Sequence, residues 1–144
     1  MSCVLGFDYG SRLLGVAVGN RFTGSARGLA AITVRDGDPD WSRLDAIRQE
    51  WQPDTLVVGL PLTLDGEEQP ASRGARRFAE KLGQRYGLPV ELTDERHSSR
   101  EAAQRFASAR AAGLKKRRDA ATIDAEAAAV ILERWLVSSI APGH

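Results

Sequence analysis

Sulfur and imidazole are scarce in this chain: its 144 residues include one cysteine, one methionine and two histidines. Cys3 alone can form no internal disulfide, which fits a reducing compartment, and it excludes a cysteine-rich zinc site. His97 and His144 are too few for an imidazole metal cage, so a metal here would have to take oxygen ligands. No apolar run approaches the ~20 residues that span a bilayer. The opening Met1-Ser2-Cys3-Val4-Leu5 lacks a basic n-region, and Gly6 and Asp8 soon break its apolar stretch, so it does not read as a signal peptide. These absences lead to the expectation of a cytoplasmic protein with no membrane segment.

Hydrophobic residues make up 42% and charged residues 27% of the chain, the balance of a folded, soluble protein. The length suits one domain with one core, expected to span residues 1–144. A net charge of +1 hides an asymmetry: residues 73–118 hold 13 of the 20 Lys and Arg but 5 of the 19 Asp and Glu, so that segment is +8 and the remainder −7. Such a segment suits a basic face for a polyanion, although solvated helices have the same composition.

Val4-Leu5-Gly6-Phe7-Asp8-Tyr9-Gly10 reads as a strand running into a glycine turn, and Leu14-Gly15-Val16-Ala17-Val18-Gly19 as the returning strand of a hairpin. A third strand is expected over 29–34, ending at the turn-rich Asp36-Gly37-Asp38-Pro39-Asp40. Trp41, Leu44, Ile47 and Trp51 recur at helical spacing, with Asp40 placed to cap the helix. Leu56-Val57-Val58-Gly59-Leu60 is a continuous apolar run, as expected of a strand covered on both faces. Ala75, Phe78, Ala79, Leu82 and Tyr86 mark a second helix closed by Gly87, and 89–93 a further strand. Ser98-x-x-Glu101 is a capping-box pattern opening a third helix, and a last helix is expected over 122–137. The order implies an α/β sheet with helices on both faces.

Three acidic positions stand out. Asp8 sits in an apolar strand, where an unpartnered carboxylate is costly, although an aspartate before a glycine also serves ordinary turns. Asp94-Glu95-Arg96 lies just past a strand, where ligands gather in open α/β sheets. Adjacent strand residues point to opposite faces, so only one of Asp94 and Glu95 can face Asp8. A surface ion pair with Arg96 is the plainer account. Asp124 is the charged member at the head of the last helix's apolar stripe of Ala127, Ala128, Ile131 and Trp135, although first-turn aspartates also serve the helix dipole. Carboxylates converging from different elements suffice for Mg²⁺ or Mn²⁺, and two such ions can hydrolyse a phosphodiester.

At these residues the chain resembles the YqgF/RuvX family, described as Holliday-junction-resolvase-like or as pre-16S rRNA nucleases. Four pieces carry the resemblance, in order over nearly the whole chain. They are Gly6-Phe7-Asp8-Tyr9-Gly10-Ser11-Arg12 with Gly15-Val16-Ala17-Val18; Val57-Val58-Gly59-Leu60-Pro61-Leu62 to Asp65-Gly66; Asp94-Glu95-Arg96 with Ser98-Ser99; and Ile123-Asp124-Ala125 with Ala127-Ala128 and Ile131-Leu132. The resemblance implies an α/β RNase H-like fold, a five-stranded mixed sheet flanked by helices. It also implies a metal-dependent nuclease acting on pre-16S rRNA ends in ribosome maturation. It selects Asp8, Glu95 and Asp124 as catalytic and metal-ligating residues, with Asp94 a fourth candidate. The chain departs from the family pattern at His97, where an aliphatic or aromatic residue is usual, and at Asn20, where an acidic one is common. His97 beside Glu95 suits a general acid or a phosphate contact; as a partly exposed loop histidine it needs neither role.

On this reading one or two Mg²⁺ or Mn²⁺ ions sit among the three acids, and water attacks to leave a 5′-phosphate. Arg96, Arg100, Lys115, Lys116, Arg117 and Arg118 grip the flanking phosphates. Three other functions fit parts of the pattern: a Holliday-junction-type DNA endonuclease, a non-catalytic nucleic-acid-binding module, and an actin-like ATPase, whose phosphate loop also begins Asp-x-Gly but needs two lobes. The expected partner is nucleic acid, pre-rRNA before structured DNA, bound by a monomer or weak homodimer.

Overall fold

The computed structural model describes residues 3–63, 65–94 and 121–140. At its centre is β1 (Cys3–Tyr9), an apolar strand because both its faces are covered. It pairs antiparallel with β2 (Leu13–Asn20) and parallel with β5 (Thr55–Leu60). Beyond β2 come β3 (Ser25–Arg35) and β4 (Asp38–Pro39), both antiparallel; beyond β5 comes β6 (Val90–Asp94), parallel. The sheet order is β4-β3-β2-β1-β5-β6. Six strands stand where five were expected. The sixth is the two-residue β4, too short and too proline-bound to carry an alternation signal. The third strand also begins earlier than expected, at Ser25, because its small and polar first residues are ordered by pairing with β2 rather than by their own pattern.

Helices cover both faces. α1 (Trp41–Trp51) and α2 (Pro70–Tyr86) lie on one. There Leu44 of α1 and Ala75, Phe78, Ala79 and Leu82 of α2 join Leu5, Phe7, Leu56 and Val58 in one buried cluster. α3 (Ala121–Ile140) lies on the other face, where Ala128, Ile131, Leu132 and Leu136 pack against Val4, Ala17 and Val57. Alternation along β1 therefore sends Leu5 and Phe7 to one side and Val4, Gly6 and Asp8 to the other. Among the described residues no helix is long and apolar enough to cross a membrane.

Two helix ends differ from simple expectation. Asp40 occupies the N-cap position of α1, but its side chain makes no cap bond. Its backbone carbonyl instead accepts from the Arg43 and Leu44 amides at 3.1 and 3.2 Å. α2 begins with a cap built on Ser72: the Gln69 amide donates to the Ser72 hydroxyl at 2.9 Å, the Ser72 amide donates to the Gln69 carbonyl at 2.8 Å, and the buried hydroxyl donates to the Pro61 carbonyl. Gly87 ends α2 in the left-handed region (φ 64°), its amide bonded to the Gly83 carbonyl at 3.0 Å. The helix expected to open at Ser98 lies outside the described residues.

Candidate active site

Asp8 is the penultimate residue of β1 and half-buried. It shares the face of Gly6, whose added Cβ would meet Leu132 of α3 at 2.8 Å. Its partner across the β1–β2 ladder is Gly15. A Cβ on Gly15 would lie 2.0 Å from the Asp124 carbonyl oxygen, closer than any side chain can approach. The backbone of α3's first turn is thus laid directly on the strand position opposite Asp8. Gly28 on β3 admits the same turn, since a Cβ there would meet Ala125 at 2.8 Å. A glycine inside an alternating strand signals such a close approach, and Gly15 could have been singled out from the sequence on that ground.

Asp124 is half-buried, and burial pushes its carboxyl above the usual carboxylate range. The fold therefore lays the backbone of Asp124 on the sheet face of Asp8, one strand away, and the Asp124 carboxyl resists ionisation. The raised pKa fixes a sign. The folded state holds the Asp124 proton more tightly than the unfolded chain, so this group's stabilising contribution is full below about pH 4 and is lost as pH rises through the folded pKa. In chelator, Asp124→Asn is expected to melt above the wild type at pH 7, and the difference should vanish toward pH 4. Melting curves across pH 4–8 check this; a variant less stable than wild type at neutral pH would contradict it.

Asp94 pairs with Leu60, which packs with the cluster under α1 and α2, so Asp94 falls on the face away from Asp8 and is exposed. Thr93, opposite Gly59, shares the face of Asp8. Glu95, Arg96, His97, Arg100, Lys115, Lys116, Arg117 and Arg118 lie outside the described residues. Among the described residues no group of three or more His, Cys, Asp or Glu could hold a metal ion. Asp8 and Asp124 both carry the oxygen-bearing side chains that hard cations take as ligands.

Asn20 lies at the other end of β2. Its Oδ1 accepts from the Phe22 and Thr23 amides at 2.7 and 3.3 Å, which makes it a turn residue.

The fold has solved counterparts. A RuvC chain from T. thermophilus, in complex with Holliday junction substrate, superposes with a TM-score of 0.55 at 19% identity, over 98% of this chain and 97% of that one. A second Thermus thermophilus RuvC structure gives 0.51 at 18%, over 95% of each. The fold is thus RNase H-like, the class of the RuvC resolvases. A family profile described as "RuvX: Holliday junction resolvase" matches residues 2–138, and the chain belongs to the RuvX family. A protein of Xanthomonas oryzae pv. oryzae is 59% identical over 135 residues, covering 94% of this chain and 87% of the relative. One of Xanthomonas campestris pv. campestris is 60% identical over 133 residues, covering 92% and 86%. Both bear the name "Putative pre-16S rRNA nuclease". Family and relatives place the chain among the nucleases, hydrolases of phosphodiester bonds whose partner is nucleic acid.

Proposed function

We propose that this protein is a divalent-metal-dependent nuclease that processes the 5′ end of precursor 16S rRNA, with Asp8, Glu95 and Asp124 as metal ligands. The observation that carries the reading is the close approach of the Asp124 backbone to Gly15, the residue paired with Asp8. The pairing of Asp94 with Leu60 turns Asp94 to the face away from Asp8, so Glu95, selected by the family resemblance, is preferred to Asp94. An all-oxygen ligand set suits Mg²⁺ or Mn²⁺. Such an ion, when bound, lowers the pKa of water and stabilises charge on the phosphate oxygens. Asp8, fixed in the central strand, holds its carboxylate toward α3. Asp124 supplies a second carboxylate from the first turn of α3, where it is half-buried.

Arg96, Arg100, Lys115, Lys116, Arg117 and Arg118 hold the flanking phosphates in this reading, supported by the +8 charge of residues 73–118. Replacing Lys115, Lys116, Arg117 and Arg118 by alanine should flatten the plot of log affinity against log salt by roughly three units, at about 0.7–0.9 per phosphate contact. Filter binding at several salt concentrations checks this, and an unchanged slope removes the run from the interface. Function itself is tested by offering the full chain a 5′-extended 16S precursor transcript and a four-way DNA junction, each with Mg²⁺, Mn²⁺ or chelator. The proposal expects metal-dependent cleavage of the transcript. Cleavage of the junction alone would favour a resolvase, and binding without cleavage of either a non-catalytic module.

A further inference from the structure

The end of β1, which carries Asp8, is laddered on fewer sides than its start. Pairing with β2 continues through Asp8 and Tyr9, but pairing with β5 stops at Phe7 opposite Val58. The last two residues of β1 thus have a ladder on one side only, at the position where a ligand must be fixed.

Tyr9 supplies other restraints. Its hydroxyl donates to the Gly37 carbonyl at 2.8 Å. Its ring stacks on Phe78 of α2 with centroids 5.1 Å apart and planes at 25°. It also passes over α2 where Gly74 has no side chain; a Cβ there would come within 3.1 Å of the ring. The acceptor belongs to a tight turn, Asp36-Gly37, with φ of 53° and 83°, the mirror-image hairpin geometry. That turn is closed by the two-residue pairing of β3 with β4. The short sixth strand thereby gains a purpose, since it holds the carbonyl to which Tyr9 is tied.

We propose that Tyr9 is a positioning residue for the metal site: its tether to Gly37 and its stack on Phe78 fix the end of β1, and so fix Asp8 against the first turn of α3. This rests on the reading of Asp8 as a metal ligand. The side chain of Tyr9 points to the opposite sheet face from Asp8 and acts through the backbone they share.

The test uses the full chain and the Tyr9→Phe variant, which keeps the ring and removes the hydroxyl. Mn²⁺ binding is followed by the electron paramagnetic resonance signal of the free ion, in parallel with steady-state cleavage. Loss of sub-ångström placement is expected to weaken Mn²⁺ affinity and lower kcat by about tenfold each, with KM for the nucleic acid unchanged. The bond is exposed, so melting should move by no more than about 4 °C. Gly74→Ala presses on the same ring with the hydroxyl intact and should weaken Mn²⁺ binding in the same direction; it decides the matter if Tyr9→Phe fails to fold. Wild-type Mn²⁺ affinity and kcat in the folded variant would overturn the tether alone. A wild-type chain that binds no Mn²⁺ would overturn the metal reading of Asp8, and the tether's role with it.

Discussion

Asp8→Asn is expected to abolish metal-dependent cleavage, lowering kcat by about 10³-fold or more, while nucleic-acid binding and melting temperature stay near wild type. The substitution keeps the size and shape of the side chain and removes only its charge. Asp8 sits on the central strand, with β2 paired to it and α3 above it, so an isosteric amide leaves the packing intact. An oxygen that cannot carry full negative charge is a poor ligand for a hard cation. The effect should therefore fall on turnover and metal affinity, with circular dichroism and the binding isotherm as controls. Cleavage at the wild-type rate would remove Asp8 from the chemistry.

The second large effect concerns a residue with no side chain. Gly15→Ala places a methyl group where the Asp124 carbonyl oxygen already lies, at 2.0 Å. The obstacle is backbone, so no rotamer change relieves it, and the start of α3 must lift from the sheet. The expected cost is about 1–3 kcal/mol or more, seen as a melting temperature lower by several degrees. A larger effect is expected on activity, because displacing Asp124 from Asp8 by about 1 Å can cost ~100-fold. Gly83→Ala is the matched control: it lies inside α2, where the nearest atom to an added Cβ is Val90 Cγ2 at 3.7 Å. There alanine should be neutral or stabilising, since glycine within a helix costs about 1 kcal/mol. If both substitutions behave alike, the close approach of α3 at Gly15 does not govern the site.

These two residues also show how far the sequence could be read. β1, β2, β5 and α2 were legible because burial imposes a period on their side chains: Leu5 and Phe7 against Val4 and Gly6, or Ala75, Phe78 and Leu82 on one stripe. β4 was not, because two residues have no period and its pairing depends on the Asp36-Gly37 turn. The early residues of β3 were not, because Ser25 to Gly28 owe their order to the partner strand. At the site, the acids could be named from residue type and from resemblance to a family, but the seating of α3 could not. The first turn of α3, with Asp124 in it, lies against the strand position opposite Asp8 through a lateral register and a missing Cβ, both of which are tertiary facts. The orientation of Asp94 was open in the same way: alternation along β6 could not be tied to either sheet face until the pairing of Asp94 with Leu60 fixed it.

The position of a bound ion tests the account most directly. Crystals soaked in Mn²⁺ and measured at the manganese absorption edge should show an anomalous peak about 2.0–2.5 Å from carboxylate oxygens of both Asp8 and Asp124, and lose it in Asp8→Asn. A peak elsewhere, or one that persists in the variant, would contradict the metal site proposed between β1 and α3.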